Sequence, residues 1–347
     1  MNSKKMIIAT ISLLLCALLM TGTINFIVDP LFQYHKPWLG LEPVVTNERY
    51  QNAGIAKNFD FENVVIGNSM SQNFIVSDVE KAFGGTTVKL TASGSHILDW
   101  TYLLNILSKK QSHPKNILFN LDTGFFDASD NKTKHQLPTF LYDYNYLNDV
   151  EYLFNFTLMR NYTFETIKAN LDNSIPDYNE IFVWQNENEL GKEFVLKNYV
   201  APESKTDNSM KKFYTQGNLQ LLQKYIEEMP DTQFVFFCSP FSVLYWKEIV
   251  DSNQLSSYKS EFEKTFDFMS QYDNVTVYFW TDEEMLDIIS DLNNYRDSSH
   301  YSFYISKDII QRIDNNFGIL PKEKQLWMPL LTDFFNYLEN FDYNSIF

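Results

Sequence analysis

Five short runs of β-branched and aromatic residues punctuate the chain, each of strand length and bounded by polar positions. They are "ENVVIG" (Glu62–Gly67), "TTVKLTAS" (Thr86–Ser93), "KNILFNLD" (Lys115–Asp122), "TQFVFFCSP" (Thr232–Pro240) and "NVTVYFW" (Asn274–Trp280). Helical spacing occupies the intervals. Ile97, Trp100, Leu103, Leu104 and Leu107 recur at three and four residues within Ser95–Gln111, and further helices are expected over Met210–Met229, Ser256–Tyr272 and Thr281–Leu292. Strands alternating with helices predict a mostly parallel sheet covered on both faces, an α/β fold. In such sheets the reacting groups lie beyond the carboxyl ends of the strands, so the strand-to-helix junctions are where chemistry is sought.

The alternation stops at both ends and once in the middle. Lys4 and Lys5 precede "MIIATISLLLCALLMTGTINFIV" (Met6–Val28), an uncharged run long enough to cross a hydrocarbon core of ~30 Å as a helix. Basic residues before it and Asp29 after it put the N-terminus in the cytoplasm and the bulk of the chain outside, a single-pass cell-membrane topology. A cleaved signal peptide calls for a shorter core and small residues at the cut, and "TGT" (Thr21–Thr23) is a poor site. A lipoprotein calls for a small residue before Cys16, where Leu15 stands. Residues 29–60 are an irregular juxtamembrane lead-in. Residues 61–320 form the α/β domain, interrupted after the third strand by an Asn-, Tyr- and Phe-rich insertion over about 125–200, expected to be a lid or substrate-facing subdomain. Residues 321–347 form an amphipathic tail that packs on the body.

Composition narrows the function classes. Hydrophobic residues make up 44% of the 347, so the chain folds around a core. The formal net charge of −16 offers no basic face for phosphates and argues against nucleic acid. Cys16 and Cys238 are too far apart in setting to pair, and no Cys/His spacing suits a metal; neither metal nor cofactor is implied.

The candidate chemistry begins at "VVIGNSMSQNF" (Val64–Phe74). Only 11 glycines occur in the chain, yet Gly67, Gly84, Gly85 and Gly94 all fall between Val64 and His96. A glycine directly after a strand permits either an unusual backbone conformation or a close approach to the main chain. Gly67–Ser69 is the one Gly-x-Ser in the sequence. Ser69 is either a nucleophile at the sheet edge or an ordinary helix N-cap. A serine nucleophile needs a base. Of the five histidines, His35 sits in the lead-in, His113 in a polar turn, His135 in the insertion, and His96 at a helix start. His300 alone has a carboxylate three positions upstream, Asp297, which one turn would place alongside the imidazole.

These residues resemble the SGNH (GDSL-like) hydrolase superfamily. Its first block is a strand followed by a Gly-x-Ser nucleophile, matched by Gly67, Asn68 and Ser69, and its last is Asp-x-x-His, matched by Asp297, Ser298, Ser299 and His300. "INFIVDPLF", "VVIGNSMSQNF", "VKLTASGSHILDW", "FCSPFSVLYW" and "NYRDSSHYS" are similar to the membrane-anchored branch that includes DltD-like and alginate-acetylation proteins. The resemblance spans about residues 20–317. It implies a flavodoxin-like α/β/α sandwich, with Ser69 as nucleophile, His300 as base and Asp297 as orienting acid. The backbone N–H groups of Ser69 and Gly94 would form the oxyanion hole. The family's third block, Gly-x-Asn-Asp, departs here to "NLDTGFFD", with Asp122 near its place as a possible substrate-site residue. The third oxyanion donor is then absent, replaced, or supplied by Asn68. The membrane-anchored branch shares this weak third block. The implied activity is an extracellular serine acyl-esterase or O-acyltransferase acting on envelope polysaccharide or teichoic-acid-type polymer, with a membrane-bound O-acyltransferase as a partner. The rival class is an SGNH-like scaffold that binds polymer without catalysis.

Overall fold

The computed structural model describes residues 3–129, 133–184, 187–201 and 211–347. The chain divides into two compact units: Met1–Asp60 with Gln136–Tyr178, and Phe61–His135 with Asn179–Phe347. The stretch expected to be one insertion is therefore shared between them.

The first unit is helical. Helix α1 (Ser3–Val28) is exposed along most of its length, and it is long and apolar enough to cross a membrane. Its last turns bury Gly22, Asn25 and Val28. Asn25 Nδ2 donates to the Leu153 carbonyl at 2.9 Å, and Asn25 Oδ1 accepts from Thr163 Oγ1 at 2.7 Å. Directly after the helix, the buried Asp29 carboxylate accepts the N–H groups of Gln33 (3.0 Å), Tyr34 (2.7 Å) and His35 (3.0 Å) and the Tyr152 hydroxyl (2.8 Å). Burial pushes this carboxyl up, against the pull of those donors. Where the lead-in was expected to be irregular, α2 (Glu48–Asn58) forms, capped by Asn47. Its buried face is partly polar. Gln51 accepts from the N–H groups of Thr46 and Asn47 and donates to the carbonyls of Pro30 and Val44. A helix held this way leaves no apolar stripe for sequence reading to find.

The second unit is built on a five-stranded, wholly parallel sheet: β1 (Asn63–Ile66), β2 (Thr87–Lys89), β3 (Asn116–Leu121), β4 (Gln233–Cys238) and β5 (Val275–Tyr278). Their spatial order is β2-β1-β3-β4-β5, that of a doubly wound, flavodoxin-like sheet. Register is set by pairs such as Val64↔Val88, Ile66↔Phe119 and Phe119↔Phe236. Phe119 stacks on Phe236 (4.9 Å) and packs on Trp100 (5.6 Å), while Phe237 meets Phe74 and Trp280. Aromatic cover from both faces is why the strands read as continuous apolar runs and not as alternating ones. After β1 come the one-turn α3 (Ser69–Gln72) and α4 (Val76–Phe83), and after β2 comes α5 (Ile97–Leu107). Helix α4 packs with helix Phe303–Asp314, and α5 with helix Thr215–Glu228, which in turn meets helix Leu255–Met269. The C-terminal helix Lys324–Asn340 packs on Leu255–Met269, with Trp327 buried against Phe266. Two such helix groups on one sheet are compatible with a three-layer sandwich. Met210 of the expected helix Met210–Met229 lies outside the described residues.

Candidate active site

The site grows from the crevice where strand order reverses, between the carboxyl ends of β1 and β3. Gly67 directly follows β1, and a Cβ there would lie 2.2 Å from Asn120 Oδ1 and 2.6 Å from Ser71 Oγ. Close approach, and not a left-handed backbone, is what demands the glycine. Asn120 Oδ1 accepts the Asn68 N–H (3.1 Å) and the Ser71 hydroxyl (3.1 Å), so β3 braces the turn. The Gly67 carbonyl accepts from the Ala92 N–H (2.9 Å) and Ser95 Oγ (2.8 Å), which pins the loop after β2 to the same turn. Gly94 sits in that loop at φ +64, a conformation that favours glycine. Its Cα side faces His135, whose Nε2 would lie 2.9 Å from a Cβ.

Ser69 is not the N-cap of α3. Asn68 is, its Oδ1 accepting the Met70 N–H at 2.9 Å. The Ser69 hydroxyl is left free of capping and lies 2.7 Å from His300 Nε2. On the other side of the ring, His300 Nδ1 lies 2.8 Å from Asp297 Oδ2. The second oxygen of Asp297 accepts the N–H groups of Ser299 (2.8 Å) and His300 (2.7 Å). Partial burial pushes the Asp297 carboxyl up, but the hydrogen bond and charge of His300, with the two backbone N–H groups, outweigh it. They hold the group well below the usual carboxylate range. With Nδ1 facing the carboxylate, the tautomer that carries its proton there leaves Nε2 as an acceptor toward Ser69.

The loop that bears His300 is fixed independently of Ser69. Arg296 N–H donates to the His300 carbonyl at 2.9 Å, Ser242 Oγ donates to the Ser298 carbonyl at 2.6 Å, and the buried Tyr301 hydroxyl donates to the Met70 carbonyl at 2.7 Å. The last of these ties the histidine loop to the serine turn.

The chain matches no known family model, no curated protein and no solved structure. The geometry is therefore what bears on the other expected residues. Asp122 is buried beneath the site, its Oδ2 accepting from Asn68 Nδ2 (2.8 Å) and Asn120 Nδ2 (2.8 Å). Burial pushes its carboxyl up, opposed by Asn68 and by the N–H groups of Gly124 and Phe125. It holds the turn from below. Asn68 spends one N–H on it. His96 caps α5, its N–H bonded to Asp99 Oδ2 at 3.0 Å.

Sequence reading missed Trp184 and Asn120. The Trp184 indole stands edge-on to His300 (5.6 Å, 89°), and its Nε1 donates to the Ser69 carbonyl at 3.3 Å. The Arg296 guanidinium lies over that indole at 5.5 Å and pairs with Glu189 at 2.5 Å. Trp184 comes from an aperiodic stretch, and no local signal marks it. Asn120 stands two residues before Asp122, the residue that sequence reading singled out there.

Proposed function

We propose that the chain is a serine acyl-transfer enzyme of the SGNH type. The observation that carries this reading is the unbroken hydrogen-bonded relay Asp297–His300–Ser69, with links of 2.8 and 2.7 Å. Ser69 Oγ attacks the carbonyl carbon of an acyl ester while His300 Nε2 takes the hydroxyl proton. The N–H groups of Ser69 and Gly94, with the remaining N–H of Asn68, stabilise the oxygen that becomes negative. Collapse of the tetrahedral intermediate breaks the ester C–O bond. The leaving alcohol takes the proton from His300, and the acyl group stays on Ser69. A second hydroxyl, from water or an acceptor, then loses its proton to His300 and attacks the acyl carbon. The Ser69 Oγ–acyl bond breaks as Ser69 takes that proton back, and the acyl group leaves on the new oxygen. Asp297 remains ionised throughout and steadies the imidazolium.

The acceptor class proposed is the hydroxyl of an envelope polysaccharide or teichoic-acid-type polymer, with a membrane-bound O-acyltransferase as acyl source. Support comes from the sequence resemblance, together with an N-terminal helix fit to hold the chain at a membrane. Trp184 beside His300 forms a wall that would keep water from the acyl-enzyme.

The test is acid-quenched incubation with an activated acetyl ester followed by peptide mass spectrometry. The expected result is one acetyl group on the Ser69 peptide, chased off faster by a polyol or sugar acceptor than by buffer alone. Ester turnover undiminished in Ser69→Ala would overturn the proposal.

A further inference from the structure

We infer that the first unit is seated in the lipid headgroup layer by a collar of exposed apolar side chains around the exit of α1. The inference rests on the reading of α1 as a membrane span. At ~1.5 Å per residue, a ~30 Å hydrocarbon core takes about 20 residues. Counted from Lys5, that places the far boundary near Asn25. The structure marks the same level independently, because Asn25 is where α1 first buries a polar side chain in protein hydrogen bonds.

Two separate segments meet the helix there. On one side, a Cβ at Gly22 would lie 2.7 Å from Phe154 Cε1, and the short helix Val150–Leu153 packs on α1. On the other, the Trp38 indole N–H donates to the Ile27 carbonyl at 2.5 Å. The side chains these segments leave uncovered are large and apolar. Leu147 is 86% exposed, Leu39 77%, Phe156 63% and Val150 55%, with Trp38 and Phe154 also partly open. Leu39 has its backbone at φ +53, a strained setting for a leucine. An aqueous surface gives no reason for such a cluster beside a spanning helix, whereas the acyl–headgroup boundary favours tryptophan, phenylalanine and leucine. The occupant is thus the bilayer interface itself, continuous with the lipid that surrounds α1. Asn25 and Asp29 make the link rigid: the helix runs into the unit without a free hinge, so the collar is carried at a fixed depth.

The test uses the full chain in phospholipid nanodiscs, in a Cys16→Ala/Cys238→Ala background with nitroxide labels at single introduced cysteines. Leu13→Cys reports on the span, and Leu147→Cys and Phe156→Cys report on the collar, both at sites open enough to label without repacking. Power saturation with oxygen and with a water-soluble nickel chelate gives the depth of each. The inference expects a deep Leu13 label, and labels at 147 and 156 at which oxygen access exceeds nickel access several-fold. A deep Leu13 label with 147 and 156 open to nickel overturns the collar and leaves the anchor standing. A Leu13 label open to nickel removes both. Labels at 147 and 156 shielded from both reagents would mean that a protein, a second copy or another chain, covers the face, which also overturns it.

Discussion

Gly67 shows how little room surrounds the nucleophile. Alanine there must push against Asn120 Oδ1 and Ser71 Oγ, both nearer than real Cβ contacts allow. Gly67→Ala should therefore cost about 1–3 kcal/mol, measured by urea unfolding, and should lower ester turnover by shifting Ser69. Asp297→Asn should reduce turnover by about 10³–10⁴-fold, because the amide no longer fixes the tautomer of His300. The folded-state pKa of Asp297 lies below its unfolded one. Its contribution to stability is thus whole above the unfolded value of about 3.9 and fades as pH falls through the lower folded value. The melting-temperature gap between wild type and Asp297→Asn should accordingly persist at about pH 5 and close only below about pH 3.9. Ser69, Asp297 and His300 were legible because each is flagged by its immediate neighbours, a glycine two residues before or a carboxylate three before. Trp184 reaches Ser69 across more than a hundred residues of chain with no such flag.

Among the elements, the five strands and the major helices that follow them were legible, since each is a dense apolar run or a clean three-four spacing. Some that escaped have polar or short support, but helices Val243–Asp251 and Phe303–Asp314 went unread although residues such as Ile305, Ile309 and Ile313 keep helical spacing. Helix α2 hides behind Gln51, and α4 commits just Val76 and Val79 to the core. The segment that delivers Trp184 is held by Asn73, whose Oδ1 accepts the Trp184 N–H at 3.0 Å, and by a buried cation. Lys89 Nζ donates to the carbonyls of Gln72 (2.5 Å), Phe74 (2.8 Å) and Ile181 (2.5 Å), binding the chain just before Trp184 to the loop just after α3. A fully buried lysine at the end of the edge strand β2 contradicts its apolar surroundings until these partners are seen. Lys89→Met keeps the stem and strands the carbonyls. It should cost about 1–3 kcal/mol by urea unfolding. It should also raise the share of acyl groups lost to water over those passed to acceptor, as Trp184 loosens beside His300. Trp184→Ala should raise that share further while leaving the unfolding midpoint nearer to wild type.

At the scale of the whole molecule, the chain is two compact bodies whose boundary no composition shift announces. The sequence divides into anchor, lead-in, domain and insertion, but α1, the lead-in and half of the insertion fold together because Asn25, Asp29 and Tyr152 join them through buried hydrogen bonds. A chain begun at Thr21 should consequently melt several degrees above one begun at Asp29, which loses Gly22, Asn25 and Val28 from the packed face. The central claim is that the Ser69 hydroxyl is activated by His300. It is tested most directly by treating the purified full-length chain with a fluorophosphonate and following adduct formation by intact mass. The account predicts one adduct, on Ser69. It should be absent in Ser69→Ala, slower by about 10²-fold or more in His300→Ala, and unchanged in His113→Ala. A folded wild-type chain that takes no label, or a label that persists in Ser69→Ala, would contradict it.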